Sequence, residues 1–171
     1  MVEPVLHFAI PFAALRAVGL DSRKATFASF LALTPDLDVI FHVHRSPTHS
    51  LVILAVGTIC LVAMARRRQV LRMMIMLAAF GILTHLFLDL FQFFTPILWP
   101  LSNQSFWISG DLKIHSDYGA LITSSMRLLM EPTNLIPFVS FNEPVLTSLG
   151  VGIAAVLLVP VIMKAHLDRR E

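Results

Sequence analysis

The feature that most limits what this chain can become is a set of histidines and aspartates lodged in or at the ends of apolar segments. His7, Asp36, Asp38, His42, His44, His49, His85 and Asp89 all fall there. An ionised carboxylate in apolar surroundings needs a compensating cation or strong hydrogen bonds. Ionisable groups inside membrane segments are costly and mark functional sites by default. The surroundings are apolar throughout: 56% of the 171 residues are hydrophobic and 14% are charged. An average soluble domain carries about 25% charged residues. A mean hydropathy of +0.76 agrees. The expectation is a single membrane domain over residues 1–171.

Five apolar segments can be marked, at about 5–20, 25–41, 50–65, 73–94 and 145–163. A full span needs about 20 residues, with a range of about 17–25; the last three are read as spans, and the first two as spans or as a tilted or re-entrant helical hairpin. The expected fold class is all-α, a polytopic helical membrane protein with about four to five transmembrane helices. Residues 95–144 are expected as an extramembrane loop or cap, with a short helix at 118–130 and with Trp99 and Trp107 as interface anchors. The N-terminus lacks a basic run and a small-residue cleavage site, so the first segment is expected to stay in the mature chain. Cys60 is the one cysteine, which excludes an internal disulfide.

Basic residues set the expected orientation. Arg23 and Lys24, Arg66 to Arg68 with Arg72, and Lys164 with Arg169 and Arg170 lie between or after segments. The positive-inside rule puts these clusters and the C-terminus in the cytoplasm of a plasma or inner membrane. Measured from them, His85 lies thirteen residues beyond Arg72 and Asp89 seventeen, roughly 20 and 25 Å at 1.5 Å per residue. His49 precedes Arg66 by seventeen residues, and His7 precedes Arg23 by sixteen, each about 25 Å. Asp36 and Asp38 come out at roughly 18–21 Å above Lys24. Four segments therefore bring polar residues to one height, toward the outer face.

His85-x-x-x-Asp89 is an i, i+4 pair on one helix face. An imidazole and a carboxylate so placed can chelate one cation. Asp36 and Asp38 would diverge by about 200° on a helix, so one is expected to face a metal and the other to orient a histidine ligand. His49 stands at the start of an apolar segment. Arg45 can contact an anionic substrate, since its guanidinium matches phosphate geometry. His42 and His44 are either ligands or loop residues, with the loop reading preferred. His115 and Asp117 either complete a second metal or face solvent, with solvent preferred. His166 falls at the opposite membrane face.

Pro35-Asp36-Leu37-Asp38, then His44-Arg45-x-x-Thr48-His49-Ser50, then His85-x-x-x-Asp89 with Thr95-Pro96 and Trp99-Pro100, form an ordered set. It resembles the YdjM/YbcI-like family of membrane-bound metal-dependent hydrolases over about residues 5–100. That family looks like a distant membrane relative of the zinc-dependent phospholipase C and P1 nuclease group. The resemblance implies metal ligands at Asp36 or Asp38, His49, His85 and Asp89, with His7 serving a neighbouring metal. The histidine pair and glutamate that a third metal would need have no match in this chain.

The expected function is a hydrolase with one or two divalent metals, zinc first and manganese or iron as alternatives. The substrate is expected to be a phosphoester of a lipid or other headgroup-level molecule, with membrane lipids as partners and no nucleic acid. Whichever of Asp36 and Asp38 is not a ligand would act as general base, and Arg45 would hold the phosphate. Two other classes stay open: a metal-ion or proton-coupled transporter, and a structural metal site without catalysis.

Overall fold

The computed structural model describes residues 3–43, 45, 47–115, 121–135, 137 and 146–167. Helix α1 (Pro4–Ala17) starts with Pro4 in its first turn, where the missing N–H costs nothing. Gly19, at φ +85°, turns the chain toward α2 (Ser22–Leu31). Asp21 caps α2 by accepting from the Lys24 N–H at 3.0 Å. Helix α2 stops at Leu31, and Pro35, which has no N–H to give an α-helical ladder, stands in the first turn of the 3-10 segment after it. Two short 3-10 segments follow, Pro35–Phe41 and Pro47–His49. Ser50 then caps α3 (Leu51–Met64), and α4 (Gln69–Leu90) runs back. Strands β1 (Gln104–His115) and β2 (Leu121–Pro132) form an antiparallel hairpin, and α5 (Ser148–Leu167) closes the chain.

This corrects the expected fold class in two ways. The fold is not all-α, and it is not a bundle of four to five spans. Among the described residues, α4 alone is long and apolar enough to cross a membrane. Pro4–Ala17, Leu51–Met64 and Ser148–Met163 are shorter apolar helices. Fourteen residues reach about 21 Å, against about 30 Å of hydrocarbon. The cause is local. Ser50 delays the start of α3, the arginine turn at 66–68 stops it, and Pro35 divides the second apolar segment.

The expected helix at 118–130 is also wrong, since residues 121–130 lie in β2. The register pairs Phe106 with Met130, Ile108 with Leu128 and Asp111 with Ser125. Successive strand residues point to opposite faces. Phe106, Ile108, Ile122, Met126, Leu128 and Met130 therefore share one face, and Asp111, Lys113, Arg127 and Glu131 share the other. This period of two is the strand signal.

Small residues set the helix packing. Ala25, Ala28 and Ser29 of α2 and Ala32 just after it are buried, and Ala28 and Ala32 lie where α4 approaches. A Cβ added to Gly81 would stand 2.1 Å from the Ala28 carbonyl oxygen, so only glycine permits this crossing. At the other side of α1, Glu3 accepts from the Thr147 N–H at 2.7 Å and from the Thr147 hydroxyl, which ties the start of α1 to the start of α5. The Leu51 N–H donates to the Ile97 carbonyl at 2.9 Å, and Ser50 Oγ donates to the Trp99 carbonyl. Thr95 and Phe106 exchange backbone hydrogen bonds at 2.9 Å, so the hairpin base is anchored beside the end of α4.

Candidate metal centre

Three elements deliver the four candidate ligands to one end of the helical body. Asp36 comes from the first 3-10 segment and His49 from the second, while His85 and Asp89 come from the last turns of α4. His49, His85 and Asp89 are fully buried, and the Asp36 side chain is 11% exposed. One donor atom from each of these four lies within 4.8 Å of all the others.

The separations test whether a metal fits. His49 Nε2 lies 3.2 Å from His85 Nε2, 3.6 Å from Asp36 Oδ1 and 3.3 Å from Asp89 Oδ2. His85 Nε2 lies 3.5 Å from Asp36 Oδ1 and 3.6 Å from Asp89 Oδ2. The same four atoms recur in these five pairs. A tetrahedral ion with bonds of about 2.0–2.1 Å sets its ligands about 3.3–3.4 Å apart. The four donors therefore frame a space of the right size. Both oxygens of Asp36 and both of Asp89 lack a hydrogen-bond partner, although they are shielded from solvent. A buried carboxylate without such partners calls for a cation.

Asp38 sits on the other edge of the His49 ring. Its Oδ2 is 3.3 Å from His49 Nδ1, and the Thr48 hydroxyl donates to the same oxygen at 3.1 Å. A proton on Nδ1 leaves the Nε2 lone pair facing the cluster, which is the arrangement that orients histidine ligands. Burial works against a charged His49, but the contacts with Asp36, Asp38 and Asp89 outweigh it and raise its pKa to about 10. The cluster thus favours positive charge at its centre.

Asp89 also faces a second way. Its Oδ1 lies 3.5 Å from His7 Nε2 and 3.8 Å from Arg45 Nη2. The buried His7 ring stacks on His85 at 3.9 Å. His7 is thus beside the cluster and outside the four-donor group. Arg45 is 7% exposed, donates to the Phe94 carbonyl at 3.2 Å and lies 5.3 Å from the Phe93 ring centre.

His42 is exposed at the end of the first 3-10 segment. His44, Asp117 and the side chains of His115 and His166 lie outside the described residues. Thr48 is the contributor that sequence reasoning did not single out. Its place directly before His49 is the available signal.

A model of the YdjM inner membrane protein family matches residues 2–167. The chain belongs to that family. No curated protein and no solved structure gives a significant match. Membership in the YdjM family puts the chain in the inner membrane, and in this YdjM-family fold the four donors can hold a metal ion.

Proposed function

We propose that this YdjM-family protein is an inner-membrane metal-dependent hydrolase acting on a phosphoester at headgroup level, with a lipid phosphoester as substrate. The observation that carries the reading is the set of four donors around one space, with three fully buried and Asp36 at the accessible edge, where water would reach a metal that expands to five-coordination. Two imidazoles and two carboxylates suit zinc, with manganese and iron as alternatives. Asp36, His49, His85 and Asp89 would hold the ion. When bound, the metal supplies Lewis acidity, lowering the pKa of water and polarising a phosphoryl oxygen.

The remaining residues support that chemistry. Asp38 and Thr48 fix the tautomer and angle of His49, so Asp38 is a positioning residue rather than a base. Arg45 holds non-bridging phosphate oxygens beside Asp89. In the reaction water adds to phosphorus, the bond from phosphorus to the leaving oxygen breaks, and the leaving oxygen takes a proton. Arg72 near the start of α4, with Arg66 to Arg68 before it, supports a cytoplasmic position for that turn and an outer position for the ligand end.

Metal analysis and phospholipid turnover by purified wild type, His49→Ala and His85→Ala test the reading. Both variants are expected to lose metal and turnover together. If both keep bound metal and full hydrolysis, the proposal fails. A second reading has its own support: four protein donors close a tetrahedral shell, as structural zinc sites do. It predicts wild-type protein that holds metal, loses thermal stability on chelation and hydrolyses no phosphoester.

A further inference from the structure

The outer side of α4 carries a second feature, independent of the metal end. An apolar groove of about 360 Å³ lies between α3 and α4. On α4 it is lined by Met76, Ala79, Phe80 and Leu83, which lie roughly 120–220° around the helix from His85 at about 100° per residue. Leu54 and Ile59 are among its walls on α3. No described residue of α3 is buried, and the helix packs chiefly on α4. The groove is therefore open along α4, which among the described residues is the one helix long and apolar enough to cross a membrane.

The groove has a charged end. Arg72 stands one turn below Met76 on the same side of α4 and is exposed, and so are Arg66, Arg67 and Arg68 in the preceding turn. The sequence has no acidic residue from His49 to Leu88, and among the described residues no ion pair engages these arginines. From Arg72 to Leu83 the helix rises about 16 Å, close to one leaflet's half of the roughly 30 Å hydrocarbon core.

We infer that this groove is a binding site for an anionic phospholipid of the leaflet on the basic side, with one acyl chain between α3 and α4 and its phosphate on Arg72 and the neighbouring arginines. The surrounding lipid of the inner membrane supplies the apolar occupant, and the arginines select for negative charge. This site does not depend on hydrolysis at the metal end. It faces the other side of α4.

Photo-crosslinking tests it. The full chain is placed in phosphatidylcholine nanodiscs containing a small fraction of phosphatidylglycerol with a diazirine in its acyl chain, and the labelled peptides are mapped. Label is expected on 54–59 and 76–83, and excess unlabelled phosphatidylglycerol should displace it. Ala79→Trp fills the groove and should remove this label while leaving that on α5. Arg72→Gln should weaken retention of phosphatidylglycerol about fivefold in native mass spectrometry, and Arg72→Lys should restore it. Label spread evenly over α5 and the groove without saturation would overturn the proposal. So would a lipid-free dimer crosslinked through α3.

Discussion

The two sides of α4 differ in kind. Toward α1 and α2, Gly81, His85 and Asp89 are buried, and the helix comes so close to α2 that no Cβ fits at Gly81. Toward α3, Met76 is 56% exposed and Leu83 is 44% exposed, and an open groove separates the helices. One side hides polar atoms and the other shows apolar ones. Water as the only solvent would favour the reverse. A membrane protein can afford this arrangement, because lipid covers the apolar side and the interior supplies polar partners or a metal. The difference teaches that position around the helix, not average hydropathy, separates a site from a surface.

The sharpest attempt to break this comparison removes a buried donor. Asp89→Ala takes one oxygen from the cluster and another from beside His7 and Arg45. Bound metal, measured by elemental analysis after dialysis, should fall to background. Next comes Asp38→Asn, which leaves the four donors in place and disturbs only the support of His49. Metal affinity, measured by chelator competition, should weaken about 10–100-fold.

Gly81→Ala tests the close side by packing alone. Its methyl meets the Ala28 carbonyl, so thermal unfolding should show a loss of about 1–3 kcal/mol. Ser50→Ala removes the cap of α3 and the bond to the Trp99 carbonyl, at a cost of about 0.5–2 kcal/mol by the same measurement. Met76→Leu on the open side should change stability by less than about 0.5 kcal/mol. If Met76→Leu cost as much as Gly81→Ala, the two sides would not differ as described.

Much of the candidate site was legible in the chain. The spacing of His85 and Asp89 puts both on one face in any α-helix, and the helix formed. Counting from the basic clusters placed His7, Asp36, His49 and Asp89 at one height. Height could not show lateral convergence, which depends on Gly81 and the alanines of α2 letting the helices close. Spacing also could not separate Asp36 from Asp38. That depends on Thr48, which holds Asp38 against the far edge of His49 from another segment.

The fold was less legible. Apolar run length does not reveal where a helix ends: α2 stops at Leu31, and the rest of the second apolar run becomes a 3-10 segment that starts at Pro35. The hairpin was hidden by its own composition. Residues 121–130 contain enough apolar side chains for an interfacial helix, yet they alternate at Ile122, Ser124, Met126, Leu128 and Met130, as a strand requires. The pairing partner lies in β1, so the evidence for a strand was spread over two stretches, 104–115 and 121–132, neither of which shows the pairing by itself.

The contact between Glu3 and Thr147 has a consequence for how the molecule is made. It joins residues 144 positions apart. A chain growing from its N-terminus completes α1 well before Thr147 is made. Until then α1 lacks this one tie, although its packing on α2 and α4 can already form, and the segments bearing Asp36, His49, His85 and Asp89 are already in hand. The four-donor cluster can therefore assemble before the tie between α1 and α5 closes.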